Sequence, residues 1–104
     1  MLNDDALNNA LNIVETSQVL GSPKRMMLLF FINEKPLGYV DIERRFKKIE
    51  MKIGSSEIYK HLNILLQHKY IAKRGRTYVI TLKGRKLVEV LGEVTRTPAT
   101  VPNF

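Results

Sequence analysis

The sequence predicts a mainly helical domain with one small β-hairpin, in the order α-α-β-α-α-β-β-α. Three observations support this fold class. Several stretches repeat apolar residues at helical spacing, two β-prone runs flank a glycine turn, and Gly or Pro separates the stretches at positions 21–23, 36–38 and 54. With 104 residues and 44% hydrophobic content, the chain is expected to form one compact domain.

Several classes of protein are disfavoured by composition. The chain has no cysteine, which excludes disulfides and thiolate metal sites and favours a cytoplasmic location. It has no apolar run long enough to span a membrane and no basic start typical of a signal peptide. It also lacks a glycine-rich phosphate loop and convincingly paired acids. We therefore expect no enzyme activity and no cofactor.

The net charge of +7 is unevenly distributed. Residues 1–23 contain three acids and no Lys or Arg, whereas residues 24–104 contain all 17 basic residues and seven acids, a net charge of +10. This distribution favours a polyanion-binding body preceded by a first helix with another role. The alternative is that the positive charge only keeps the protein soluble.

Residues 1–20 are predicted to hold an amphipathic helix, over residues 4–20, that either makes a dimer contact or packs across its own domain. Gly21, Ser22 and Pro23 end it and begin a second helix from Pro23 to Asn33. Because this second helix is apolar nearly all round, it should be the central buried helix. Residues 34–38 should then form a turn or a short edge strand.

A third helix is predicted from Tyr39 to about Lys52, where Gly54 breaks it. Its apolar stripe comprises Ile42, Phe46, Ile49 and Ile53. Its other surfaces are crowded with Lys and Arg, which either contact phosphates or simply face solvent.

The next helix, residues 55–68, has two contrasting faces. Ser55 and Ser56 are expected to cap it, with Glu57 near the positive end of the helix dipole. One face carries Ile58, Leu62, Leu65 and Leu66, and the opposite face carries Ser56, Tyr59, Lys60, Asn63 and Gln67. A helix, a tight glycine turn and a second helix form the helix-turn-helix pattern. Such a polar face suits the major groove of DNA.

A hairpin should follow, with the cationic residues Lys73, Arg74 and Arg76 around Gly75 at its tip. The positive charges at this tip repel one another unless an anion binds there. Arginines at such a tip suit a narrow minor groove of DNA, where the negative potential is enhanced. The alternative is a solvated turn.

Thr81 should cap a last helix from Leu82 to Val94, with an apolar stripe of Leu87, Val90, Leu91 and Val94. The tail over residues 96–104 contains Pro98 and Pro102 and is expected to be flexible or to lie on a partner. His61 and His68 are two helical turns apart, about 10 Å, which is too far for one metal ion.

The order of these elements resembles that of the winged helix-turn-helix transcription regulators, particularly the small ArsR/MarR-like group of bacteria and archaea. The similar segments are Leu20-Gly21-Ser22-Pro23-Lys24-Arg25, the run from Ser56 to Leu65, the pair Tyr70-Ile71, and the run from Tyr78 to Gly84. The resemblance covers residues 20–91, and the predicted winged helix-turn-helix domain spans residues 21–95. The cysteine ligands of the metal-sensing members are absent, so metal-responsive repression is not implied.

The resemblance implies a homodimer that binds double-stranded DNA, contacting its partner through the N-terminal and C-terminal helices. The residues expected to face DNA are Ser55, Ser56, Glu57, Tyr59, Lys60, His61 and Asn63 on the helix, and Lys73, Arg74 and Arg76 on the hairpin, or wing. Two alternatives remain: a winged-helix module that binds protein, and an architectural protein that binds DNA without sequence preference.

Overall fold

The computed structural model describes the backbone of residues 16–17 and 19–100 and the side chains of residues 16–17 and 19–92. The elements are α1 (Pro23–Glu34), β1 (Leu37–Gly38), α2 (Tyr39–Lys48), α3 (Ser55–Gln67), β2 (Ile71–Arg74), β3 (Thr77–Ile80) and α4 (Leu82–Thr100). This confirms the predicted fold class. Residues 16–17 and 19–20 are helical, and the rest of the predicted N-terminal helix lies outside the described residues.

The three strands form an antiparallel sheet in the order β1-β3-β2. In the hairpin, Lys73 pairs with Tyr78 and Arg74 pairs with Thr77, so Gly75 and Arg76 make the turn. Gly75 has a φ of 59°, at the first central position, where a type II′ hairpin turn takes glycine. Because side chains alternate along a strand, Lys73 and Arg74 point to opposite faces of the sheet.

The core lies between α1, α2, α3 and the inner face of the sheet. Its buried hydrophobic residues are Val19, Leu28, Leu29, Phe31, Ile32, Leu37, Ile42, Phe46, Ile58, Leu62, Leu65, Tyr70, Ile71 and Tyr78. Phe31 and Phe46 meet edge to face with ring centroids 5.1 Å apart, which joins α1 to α2. As the sequence predicted, α1 is the central buried helix.

The start of α1 is fixed by a side-chain cap and a buried cation. The Ser22 hydroxyl accepts a hydrogen bond from the Arg25 amide at 3.3 Å, as predicted for a capping serine. The Arg25 guanidinium is 9% exposed and donates to the Val19 carbonyl at 2.8 Å. This contact ties α1 to the helical residues that precede it.

Helix α2 is four residues shorter than predicted. It ends at Lys48, and Glu50 adopts a left-handed conformation with a φ of 58°. The Glu50 amide then donates to the Lys47 carbonyl and the Met51 amide to the Phe46 carbonyl, a Schellman arrangement that satisfies the last carbonyls. The predicted continuous stripe to Ile53 was therefore wrong, and Ile49 is 43% exposed.

Helix α3 is capped one residue earlier than predicted, because Gly54 and not a serine is the N-cap and Ser55 is already the first helical residue. Its far end repeats the Schellman arrangement, with Lys69 at a φ of 63° and the Tyr70 amide donating to the Leu65 carbonyl. Lys83 of α4 donates to the His68 carbonyl at 2.9 Å. A cation at this C-terminus interacts favourably with the helix dipole.

Helix α4 starts at a threonine that bonds in two directions. The Thr81 hydroxyl accepts from the Gly84 amide at 3.1 Å and donates to the Tyr70 carbonyl at 2.9 Å, so the predicted cap also fastens α4 to the strand entrance. Two other expectations were wrong. Val90 is 56% exposed instead of lying in the apolar stripe, and the helical backbone continues past residue 94 to Thr100, with neither Gly nor Pro at residues 95–97 to interrupt it.

Candidate nucleic-acid interface

The outward face of α3 is the central feature of the candidate site. Ile58, Leu62 and Leu65 are fully buried and anchor the helix in the core. The side chains on the opposite face are exposed, as the sequence pattern predicted: Ser55, Ser56, Tyr59, Lys60, Asn63 and Gln67. This arrangement leaves one cation and several hydrogen-bonding groups facing solvent along about three helical turns.

His61 does not belong to that face. It is 2% exposed, and neither of its ring nitrogens has a hydrogen-bond partner among the described residues, although Oε2 of Glu57 lies 3.8 Å from Nε2. The expectation that it faces DNA is corrected, because His61 follows Ile58 by three residues and precedes Leu65 by four, which places it on the buried side. Burial and the neighbouring Arg25 cation lower the pKa of the His61 imidazole below 6.5, so the neutral ring is favoured.

Glu57 is about one-third exposed and forms a salt bridge with a residue of another helix. Lys24 at the start of α1 donates to both of its carboxylate oxygens, at 3.2 and 3.1 Å. This hydrogen bond to Lys24 is the main reason why the pKa of the Glu57 carboxyl lies below 4.5. Glu57 is thus held as an anion beside the N-terminus of α3, where it also offsets positive charge on the proposed face.

Two tyrosines stack at the junction of α2 and α3. The rings of Tyr39 and Tyr59 are 4.8 Å apart between centroids and tilted by only 8°. The Tyr39 hydroxyl donates to Oε2 of Glu43 at 3.3 Å, and Tyr59 is 46% exposed. The stack therefore places an aromatic surface at the N-terminal end of the outward face of α3.

The hairpin tip is cationic and exposed at Lys73, Arg74 and Arg76. The Lys73 ammonium lies 5.7 Å from the centre of the Tyr78 ring, on the face of the sheet that covers the core. Arg74 lies on the other face, where it lines a cleft with Lys35 and Arg85. The three cations are therefore brought to one tip but presented to different sides of the sheet.

A second basic surface flanks the sheet at β1. A cleft of about 310 Å³ is lined by Lys35, Pro36, Leu37, Asp41, Arg44, Arg45 and Lys48. Arg45 is partly neutralised by Glu34, 2.9 Å away, and its guanidinium also lies over the Phe31 ring. The expectation that a few α2 cations contact phosphates therefore has exposed candidates in Arg44 and Lys48.

A pocket of about 410 Å³ lies where α2 turns towards α3. Its walls are Glu43, Phe46, Lys47, Glu50, Met51, Lys52 and Ile53.

Within the described part of the chain, no group of three His, Cys, Asp or Glu side chains is placed to hold a metal ion. No helix in that part is long and apolar enough to cross a membrane.

The sequence patterns did not reveal the residues of other helices that contact side chains on α3. Lys24 and Tyr39 are 33 and 20 residues away from their partners on α3. No local periodicity links residues so far apart, so only the packing of the helices reveals these contacts. For His61 a signal was present, since its spacing from Ile58 and Leu65 is that of the apolar stripe.

No family model matches the sequence, and no curated protein matches it. Solved structures do match the fold. Quinone-bound YodB from Bacillus subtilis aligns with a TM-score of 0.73 at 19% identity, over 86% of this chain and 98% of that one. A protein of Porphyromonas gingivalis W83, described as a MarR-family transcriptional regulator, aligns with a TM-score of 0.70 at 15% identity, over 98% of both chains.

Reduced HlyU from Vibrio cholerae N16961 aligns with a TM-score of 0.66 at 15% identity, over 88% of this chain and 97% of that one. All three have the winged-helix fold. The chain therefore shares the winged-helix fold with these proteins over nearly their whole length.

Proposed function

We propose that the protein is a sequence-specific regulator that binds double-stranded DNA as a homodimer, with α3 in the major groove. The observation that carries this proposal is the outward face of α3, where Lys60 and Asn63 are exposed on a helix whose other side is buried. Lysine and asparagine side chains of this kind reach guanine and adenine edges respectively. A major groove has room for one α-helix.

The charge distribution supports the same proposal. The helix-turn-helix and hairpin lie within residues 24–104, which carry a net charge of +10. Arg74 and Arg76 at the hairpin tip would contact the phosphate backbone or a narrow minor groove, and Arg44 and Lys48 would add phosphate contacts. The P. gingivalis protein with the same fold is described as a transcriptional regulator, which agrees with this function.

The homodimer is part of the proposal because one α3 reads only a short site. Two copies would place their α3 helices in successive major grooves, about 34 Å apart. We propose that the N-terminal helix and α4 make the contact, and the exposed Val90 on α4 supplies apolar surface for it. Sedimentation equilibrium at micromolar concentration measures this association, and a Val90→Glu variant should weaken it.

The decisive experiment is selection of bound fragments from a random duplex pool, followed by titration of the selected and a random duplex. The expected result is an enriched palindrome that binds at least about a thousandfold more tightly than random duplex. Binding should weaken with salt, with a log–log slope of about −0.9 per phosphate neutralised.

Two substitutions separate the assigned roles. Arg74→Ala should lower affinity for selected and random duplex about equally, because a phosphate contact carries no sequence information. Asn63→Ala should instead reduce preference at one base pair by about 1–3 kcal/mol. Equal losses on both duplexes for Asn63→Ala would contradict its role.

The alternatives have distinct results in the same experiment. Tight binding without enrichment of any sequence would indicate an architectural protein. No duplex binding at about 50 mM salt, where phosphate contacts are strong, would indicate a protein-interaction module.

A further inference from the structure

The exposed ring of Tyr59 stands out on the proposed DNA-contacting face. Its neighbours on that face, Ser56, Lys60 and Asn63, end in polar or charged groups, whereas Tyr59 leaves a large aromatic ring 46% exposed. A ring in this position brings apolar area to a surface otherwise built for hydrogen bonds. In the major groove, the only apolar group on a base edge is the C5 methyl of thymine.

The ring is also held in one orientation before any ligand arrives. Tyr39 covers one side of it in a parallel stack, with 4.8 Å between centroids. Tyr39 is itself half-buried, packs against the core, and is tied to Glu43 through its hydroxyl. Burial and the Glu43 carboxylate raise the pKa of the Tyr39 phenol, so it remains a donor. With the described residues in place, the other side and the edge of the Tyr59 ring are accessible to a partner.

We infer that Tyr59 reads 5-methylpyrimidines, making van der Waals contact with the C5 methyl of thymine or 5-methylcytosine, and that Tyr39 is its positioning residue. This inference rests on the proposed entry of α3 into the major groove. The fixed stack matters because a side chain that is already ordered loses less rotamer entropy on binding. A flexible aromatic residue in the same place would discriminate less well.

The inference is tested with the full chain and the selected duplex. Each thymine is replaced singly by deoxyuridine, which removes the methyl group and leaves every hydrogen-bonding group in place. At one position in each half-site, affinity should fall about fourfold, the value expected for one buried methyl group. Replacing cytosine by 5-methylcytosine at that position, in a duplex changed to C·G there, should recover part of the loss relative to unmodified cytosine.

Variants assign the effect to the ring. Tyr59→Ala should bind the thymine and deoxyuridine duplexes equally, whereas Tyr59→Phe should keep the discrimination because the ring remains. Tyr39→Ala should reduce the discrimination while thermal melting shows a folded protein. Lys60→Ala is the matched control on the same helix: it should weaken binding to both duplexes and keep their ratio.

The outcomes separate the two proposals. Wild-type binding that is equal for thymine and deoxyuridine at every position would overturn the Tyr59 inference and leave the regulator proposal standing. Discrimination that persists in Tyr59→Ala would also overturn it, because another residue would then make the contact. Failure of every duplex to bind would overturn the proposed function itself, and the inference with it.

Discussion

Lys24 at the start of α1 and Glu57 in the first turn of α3 form a salt bridge, with 3.1 Å between Nζ and Oε2. The pair joins the central helix of the core to the helix of the proposed interface. Both side chains are about one-third exposed, so solvent screens much of their attraction.

Removing this pair should have a small effect on stability. Lys24→Met keeps the aliphatic stem and should lower the free energy of unfolding, measured in urea, only slightly. Since Lys24 holds the pKa of Glu57 below 4.5, stability from the pair is present above that pH and is lost as pH falls through the folded pKa. In the Lys24→Met variant, the free energy of unfolding should therefore fall less steeply as the pH drops below 4.5. Lys86→Met, at an exposed position of α4, is the control and should leave this pH dependence unchanged.

Burial of neutral His61 should make the protein less stable in mild acid. Because its pKa in the folded protein is lowered from 6.5, the unfolded chain binds the proton more readily. The contribution of neutral His61 is complete above pH 6.5 and declines as pH falls from there to the folded pKa. His61→Leu should abolish this decline. Because it replaces a buried polar ring that forms no hydrogen bond with the described residues by an apolar group, it should be neutral or stabilising.

The measurement is urea unfolding at several pH values between 7.5 and 5, together with an NMR titration of the His61 ring. Superimposable pH profiles for wild type and His61→Leu would contradict the buried neutral imidazole. Duplex affinity at pH 7.5 should be nearly unchanged in the variant, since His61 does not reach the outward face.

Gly84 should tolerate no side chain. A β-carbon there would collide with the Tyr70 carbonyl oxygen and stand 2.7 Å from Cδ1 of Ile80. Gly84→Ala should therefore destabilise the protein by about 1–3 kcal/mol or more through overpacking. Gly92→Ala on the same helix is the control: apart from its own helix, no atom of the described residues lies within 4 Å of its β-carbon, so it should stabilise the helix by up to about 1 kcal/mol. Thermal melting of both variants measures the change in stability, and the melting temperature should fall for Gly84→Ala and not for Gly92→Ala.

Glycine should be favourable at the two left-handed helix ends. Glu50 and Lys69 adopt φ values of 58° and 63°, a conformation that costs a residue with a β-carbon about 1 kcal/mol. Glu50→Gly and Lys69→Gly should each raise the free energy of unfolding by up to about 1 kcal/mol. Part of this gain is offset because glycine increases the conformational entropy of the unfolded chain. Glu43→Gly within α2 should instead lower the free energy of unfolding by about 1 kcal/mol. An equal loss of stability in all three variants would show that the left-handed backbone at Glu50 and Lys69 is not strained.

Local patterns were sufficient for the features set by neighbouring residues. Ser22 and Pro23 begin α1, Gly75 makes the hairpin turn, and Thr81 caps α4, because capping and turn formation depend on residues only a few positions apart. The leucine stripe of α3 likewise determined which of its sides faces solvent.

Sequence patterns gave a wrong prediction for the buried side of α4 and for the end of α2. In α4 the buried side runs through Gly84, Leu87, Val88 and Leu91, but a glycine gives no apolar signal, so Val90 was assigned to the stripe instead. In α2 the spacing of Ile49 and Ile53 fitted a helix, yet the chain turns at Glu50 and Ile53 reaches the core from the connecting segment.

By itself the sequence determined the fold class, the order of the elements and the polar face of α3, because these follow from periodicity and turn chemistry within short stretches. Only the tertiary structure decided that His61 is interior, that Lys24 holds Glu57, and that Tyr39 stacks on Tyr59. These contacts join residues on different helices, and the angle and distance at which helices pack depend on the whole core rather than on any one segment.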